Sequence, residues 1–398
     1  MRSLRNFWFT AFFCIVAGAT AQQPLTPDQF YSEVSRIDST FKCKPGDYAD
    51  CLLHKSKAFI DVYSRLDTTE QKYRKDFAAN AYYNEACCYS LLKKKKQAFA
   101  SLGNAVKMGY SNQGHALQDT DFDNIRKDAR FNKLLECMSE NTKLSILRRA
   151  GNYSQSPVAM PNFTYALPND SNLVRVRREL KLDSIAGSGD EISKMKNILY
   201  FVHDAVRHDG SSSNPSRKNA IDLIEVCRTE GRGVNCRMMA QILNECYLAM
   251  GWASRYVTCR PADPYDFDCH VINAVFSNTL NKWVWMDPTF AAYVTDENGT
   301  LLGLEEVRAR LINDQPLVLN EDANWNHKSK QTKEYYLDNY MAKNLYIMEC
   351  PDRFMFDTET RREGKNIQYI SLVPDGFGLY YEKSQPVTNS EWFWQPPY

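Results

Sequence analysis

The sequence predicts an α+β chain: a helix carrying a cysteine in its first turn, packed on an antiparallel sheet, and preceded by an all-α region. Three observations predict it. Residues 236–250 bring apolar side chains to a helical spacing directly behind Gly231-Arg232-Gly233-Val234-Asn235. Runs rich in β-branched and aromatic residues follow at 253–259, 271–276 and 282–286, the last two separated by a turn at 277–281. Residues 26–149, by contrast, carry only helical periodicity.

Taken in order, the chain begins with an expected export signal. Arg2 and Arg5 precede an apolar run at 7–16, and Ala19-Thr20-Ala21 supplies small residues for cleavage before Gln22. Removal of residues 1–21 would leave a periplasmic or extracellular product. The apolar run is too short to span a bilayer and nothing later reads as a transmembrane helix, so no membrane span is expected after cleavage. Cleavage removes two arginines and no acid, turning a formal net charge of +1 into −1. Such a chain offers no electrostatic case for nucleic acid or for anionic membranes. Of the 12 cysteines, Cys14 leaves with the signal, and an odd remainder in an exported protein keeps at least one thiol unpaired. Cys43 and Cys51, flanking Pro45-Gly46, form the first candidate disulfide. Cys259 and Cys269, at the two ends of a loop, form a second, with free thiols the alternative for both.

Residues 22–150 are expected to form a helical domain. Within 82–109, Ala86, Tyr89, Ala98, Leu102 and Ala105 stand at spacings that resemble a tetratricopeptide-type helix pair, in which small residues let two helices approach. Stacked pairs of this kind present a surface for a protein partner; packing against the rest of the chain is the alternative. Phe122, Ile125, Phe131, Leu134 and Leu135 are expected to close the stack as a short helical hairpin. Residues 151–170, rich in Pro, Asn and Ser, read as a linker. Helices are expected at 172–182 and 191–206, the second presenting Ile192, Met195, Ile198, Leu199 and Val202 to the cysteine helix. His203 and His208 near its end read as surface residues favoured by the helix dipole, with a cleft wall as the second reading. Residues 151–350 make up the expected catalytic domain. Residues 351–398 form a β-rich extension with a strand at 367–373, a turn at 374–376 and a strand at 378–381. The terminal Trp392, Phe393 and Trp394 read as packing onto the domain, or as a stacking surface.

The chemistry converges on Cys236, His270 and Asp287. Cys236 opens a helix, where unpaired N–H groups and the positive end of the dipole favour a thiolate, and Asn235 is a good cap. His270 opens one arm of the hairpin and Asp287 closes the other, so an antiparallel pairing brings them together. A carboxylate there fixes the imidazole tautomer, and the imidazole deprotonates the thiol. A metal reading of Asp268, Cys269 and His270 lacks a second ligand pair at usable spacing. No metal site and no cofactor are expected.

These residues resemble the transglutaminase-like superfamily of cysteine hydrolases and acyltransferases, which share a papain-like Cys-His-Asp arrangement. The resemblance rests on Gly233-Val234-Asn235-Cys236 at a helix start, His270 opening a strand and Asp287-Pro288-Thr289 ending the next. Ala240, Gly251 and Arg255-Tyr256-Val257 add to it. It spans residues 199–289. Two departures are the length of Gly233-Val234-Asn235 and the presence of Asn273 where an aromatic is usual. The resemblance implies thiol-dependent acyl transfer on a peptide or protein amide, with the Cys236 backbone N–H as one oxyanion donor. Hydrolysis, Gln–Lys cross-linking and a catalytically silent binding protein are the three functions that compete.

Overall fold

The protein is described by a computed structural model over residues 23–397; the expected export signal at 1–21 lies outside the described residues. Among the described residues, contacts divide the chain into two compact units, 23–110 with Thr120–Asp128, and Ser111–Asp119 with 129–397.

The first unit is helical: α1 Pro27–Thr40, α2 Tyr48–Ser64, α3 Thr68–Tyr73, α4 Lys75–Leu91 and α5 Lys95–Lys107. Thr26 starts α1 through a capping box with Gln29, and Pro27 occupies the first turn, where its missing N–H costs nothing. Ala78 and Ala86 of α4 and Ala98 and Ala105 of α5 are buried beside Leu102, so the small residues do line a close helix–helix contact. The Cys43–Cys51 disulfide closes the α1–α2 turn. The expected helical hairpin after α5 does not form. Thr120–Phe122 is a single 3-10 turn whose Phe122 meets Tyr83 edge-on at 5.3 Å, and Ala129–Glu140 is a helix of the second unit.

The second unit carries a six-stranded sheet. Its strands are β1 Ser254–Arg260, β2 His270–Ser277, β3 Lys282–Met286, β6 Ile347–Pro351, β7 Tyr369–Leu372 and β8 Ser384–Val387; a separate two-stranded hairpin supplies β4 Asn324–Trp325 and β5 Ser329–Lys330. Across the sheet the order is β8-β7-β6-β1-β2-β3. Every pairing is antiparallel except β7 with β8, which is parallel. The expected strand at 378–381 is therefore replaced by β8. The intervening chain crosses over, and its aromatics serve as anchors instead: the Tyr380 hydroxyl donates to the Pro261 carbonyl at 2.9 Å, and Tyr381 shares a 2.8 Å hydrogen bond with Ser371. The C-terminal residues extend the same sheet, and Phe393 is buried against Arg255, whose guanidinium also lies 4.1 Å from the Phe163 ring and 4.3 Å from Trp283.

One face of the sheet holds α9, Cys236–Ala249, and against it pack α6 Ser171–Glu179, α7 Glu191–Ala205 and α8 Ala220–Glu230. The expected apolar stripe on α9 understates its position, because every residue from Met238 to Ala249 is buried. Its polar members are paired in part: Glu245 accepts the Ala220 N–H at the start of α8 and the Asp357 N–H, both at 2.8 Å. Burial raises the Glu245 carboxyl to about 8 against these two hydrogen bonds. Asn273 on β2 donates to the Ala240 carbonyl at 2.9 Å, tying strand to helix, which accounts for an amide where an aromatic was expected.

The Cys259–Cys269 disulfide is not formed; both thiols are free. Register explains it. Cys259 stands opposite His270, so Cys269 falls one residue away, and neighbouring strand positions face opposite sides.

Candidate active site

Cys236, His270 and Asp287 come together as expected, each from the end of its own element. Asn235 caps α9 by accepting the Met238 N–H at 3.1 Å, which leaves Cys236 as the first helical residue. β2 begins at His270, and β3 ends at Met286, which stands opposite Asn273. Asp287 then makes a two-way backbone bridge with Ala292, 2.8 and 3.0 Å, which turns the chain and holds the carboxylate in place.

His270 Nε2 lies 2.7 Å from Asp287 Oδ2. The other Asp287 oxygen accepts the Thr289 N–H at 2.9 Å, and the Tyr336 hydroxyl donates to Oδ2 as well. His270 and Asp287 are both fully enclosed. With Nε2 committed to the carboxylate, Nδ1 is the nitrogen left for the sulfur, and Cys236 is hydrogen-bonded to His270. Burial works against a thiolate at Cys236. Hydrogen bonds from His208 and His270, the charge of His270 and the Val271 N–H outweigh it, and the thiol falls from 9.0 to about 6. Burial likewise works against an imidazolium, but the charge and hydrogen bond of Asp287, together with Cys236, raise His270. The two shifts describe one thiolate–imidazolium pair. By contrast, burial pushes the thiols of Cys88, Cys227, Cys246, Cys259, Cys269 and Cys350 up.

His208 and His203 are corrected from surface residues to site residues. The segment 207–209 runs beside 233–234: Val234 N–H donates to the Arg207 carbonyl at 3.0 Å and Asp209 N–H to the Val234 carbonyl at 2.8 Å. A Cβ on Gly233 would lie 2.5 Å from the Arg207 oxygen and 2.7 Å from Asp209 Cβ, so only glycine permits this approach. Trp325 Nε1 donates to His208 Nδ1 at 3.0 Å, which fixes the tautomer bearing hydrogen on Nε2 and leaves that N–H for Cys236. Asn326 clamps the His208 backbone from both sides, at 2.8 and 2.9 Å. His203 is buried with Nδ1 2.9 Å from the Pro288 carbonyl.

Sequence reasoning also missed the aromatic wall. The segment Tyr336–Met341 is a π-helical turn, a distortion often found at functional sites. It places the Tyr336 hydroxyl on Asp287 and the Tyr340 ring 5.4 Å from His270, while Phe290 approaches His270 at the same distance from the other strand end. Beyond the sulfur, Arg237 pairs with Glu359 and Thr258 at 2.6 and 2.7 Å, bracing the first turn of α9 against the sheet.

A solved structure of a cysteine protease candidate from Cytophaga hutchinsonii is 18% identical, covers 53% of this chain and 56% of that one, and has a TM-score of 0.24, too low to weigh on the fold. A 98-residue stretch is 32% identical to a chloroplastic protein of Arabidopsis thaliana, covering 25% of this chain and 26% of the relative. The chain thus spans about a quarter of that relative's length. Residues 178–288, which include Cys236, His270 and Asp287, match the transglutaminase-like superfamily, so the second unit carries a transglutaminase-like domain.

Proposed function

We propose that the protein is an exported, thiol-dependent amide hydrolase or acyltransferase acting on peptide or protein amides. The observation that carries this reading is a partly buried thiol at a helix N-terminus, hydrogen-bonded to an imidazole whose far nitrogen is held 2.7 Å from a buried carboxylate. The Cys236 thiolate attacks the amide carbonyl carbon, and charge develops on the carbonyl oxygen. His270 gives its Nδ1 proton to the departing amine as the C–N bond breaks, leaving a thioester. Water, deprotonated by the now neutral His270, or a second amine then attacks the thioester and releases the thiolate. Asp287, held by Thr289 and Tyr336, orients the ring and stabilises its charged form.

The backbone N–H of Cys236 is one oxyanion donor, as a first-turn amide with no partner inside the helix. The Nε2–H of His208 is the second: its tautomer is set by Trp325 and it already reaches the sulfur. Each such donor is worth about 3 kcal/mol in comparable sites. The helical first unit is proposed as the surface that receives a protein substrate or partner. A silent binding module has no use for the assembled relay.

The test is incubation of the mature protein with a peptide library, reading ammonia and amine release with and without an added primary amine. Trapping of a thioester on Cys236 that disappears in Cys236→Ser supports the reading. Incorporation of the added amine in place of free acid, with release of ammonia or the first amine continuing, marks transfer; free acid formed with no amine incorporated marks hydrolysis. No acyl-enzyme on any amide, with a fully folded protein, would sink it.

A further inference from the structure

A second cluster of chemistry-bearing side chains stands beside the Asp287 loop and takes no part in the relay. His203 sits in the last turn of α7, its Nδ1 2.9 Å from the Pro288 carbonyl and its Nε2 3.1 Å from Asn324 Oδ1. The orientation of the Asn324 amide is decided by its own partners: Nδ2 donates to the Asp322 carbonyl at 2.9 Å, and Oδ1 accepts the His327 N–H at 2.7 Å. Both atoms facing the imidazole are therefore oxygen acceptors. A neutral ring carries one N–H, so one of its nitrogens meets an oxygen lone pair with no hydrogen between them. A metal ion at that nitrogen would take up the lone pair that faces the Asn324 oxygen.

Two further metal-binding groups converge there. His327 Nε2 lies 3.1 Å from Asp204 Oδ1, and the rings of His203 and His327 meet edge to face at 4.7 Å. One ligand atom from each of His203, Asp204 and His327 lies within 4.8 Å of the others. His327 reaches this position from the β4–β5 turn, where Lys328 N–H donates to the Trp325 carbonyl at 2.9 Å and both central residues, Asn326 and His327, have positive φ, 53° and 55°. A glycine is the usual second residue of such a turn, and an imidazole there costs on the order of 1 kcal/mol.

We propose that His203, Asp204 and His327 bind a divalent transition-metal ion of the zinc class, with Asn324 Oδ1 or a water as fourth ligand. Two imidazoles and a carboxylate suit zinc; calcium and magnesium prefer all-oxygen sets. Zinc ligands at about 2.0–2.1 Å from the metal stand about 3.3 Å apart in a tetrahedron. The 3.1 Å spacings already approach this. The wider ones close by rotation of Asp204 and His327, whose side chains are well exposed. The ion would tie the β4–β5 turn to the end of α7. Trp325, which orients His208, lies on that hairpin, and His203 holds the loop after Asp287. The metal is a clamp on two sides of the site, not a reactant, and its binding does not depend on the reaction proposed above.

The experiment uses the mature protein carrying Cys236→Ser, which removes the thiol–imidazole pair as a competing zinc site. Zinc is titrated by calorimetry, with the visible absorption of bound cobalt as a second readout. The expected result is a zinc-binding event that raises the melting temperature and is lost in the further variant His327→Gly. Glycine accepts the positive φ, so metal-free His327→Gly melts at the same temperature or higher, which separates ligand loss from unfolding. Asp204→Asn weakens binding at least about tenfold. The proposal is overturned if His327→Gly binds zinc as its parent does, or if the parent binds none more tightly than about 1 mM.

Discussion

The pairing of Cys236 with His270 predicts how fast the thiol is alkylated as a function of pH. With a pKa of about 6, Cys236 is half ionised at pH 6, whereas a thiol at the ordinary 9.0 is about 0.1% ionised there, a difference of about 500-fold. Lower basicity reduces the nucleophilicity of the thiolate. With a Brønsted slope of about 0.4–0.5, three pKa units cost about 15- to 30-fold. The net advantage at pH 6 is thus roughly 15- to 30-fold in the rate of reaction with iodoacetamide. The sign reverses at high pH: once an ordinary thiol is ionised, it reacts faster than the paired one by about the same factor. His270→Ala moves the thiol back toward its ordinary value, so the two rate profiles cross near about pH 7.5–8. His208→Ala removes one hydrogen-bond donor and leaves the midpoint between them. The assay follows alkylation of the Cys236 peptide by mass spectrometry, which separates it from the buried thiols. A wild-type midpoint above about 8, or a His270→Ala profile that overlays the wild type, refutes the ion pair.

Further consequences follow for activity and stability. The rate of acyl-enzyme formation rises as pH climbs through about 6, where the thiolate forms, and falls as it passes about 10, where His270 loses its proton; a pre-steady-state pH profile checks both limbs. Tyr336→Phe removes a donor from Asp287 and is expected to lower kcat about tenfold with KM unchanged, because the ring is oriented less firmly. Gly233→Ala forces a Cβ to 2.5 Å from the Arg207 oxygen and is expected to cost about 2–4 kcal/mol by denaturant unfolding. The group at Glu245 holds its proton to about pH 8 when folded and to 4.5 when unfolded. Between those values the folded state binds the extra proton, so stability declines as pH rises. Glu245→Gln is neutral throughout, so its stability relative to the wild type improves from pH 5 to pH 8 by a few kcal/mol, on the order set by 1.36 kcal/mol per pKa unit. Unfolding at the two pH values checks it; equal differences would show that the carboxyl is ionised in the fold.

The relay was legible in the sequence because each member sits at an element end that local chemistry announces. Asn235 is a cap with a known partner three residues on, His270 immediately precedes a β-branched run, and Asp287 is followed by the proline that ends a strand. These are short-range rules, and the hairpin brings the two strand ends that carry His270 and Asp287 side by side. What surrounds the relay obeys no such rule. His208, Trp325, Tyr336 and Tyr340 come from a loop, a two-residue strand and a π-helical turn, where no periodicity assigns a face. The parallel β7–β8 pair was missed for the same reason: a strand–turn–strand reading assumes the nearest partner, and the crossover is decided by where Tyr380 and Tyr381 find hydrogen bonds.

Gly233 did carry a readable signal of a different kind. A glycine near a helix start is commonly a turn former, but here Gly231 already takes the positive φ, 62°, that ends α8. Gly233 therefore answers to a steric demand, the approach of another backbone, and that backbone is the one bearing His208. Gly233 is the seat of the second imidazole. A side chain at position 233 would displace the 207–209 segment, and with it the His208 hydrogen bond to the sulfur, while leaving Cys236, His270 and Asp287 on their own elements. Loss of thiolate character in Gly233→Ala, with the His270–Asp287 contact retained, would thus distinguish a site built from three residues from one that needs the fourth.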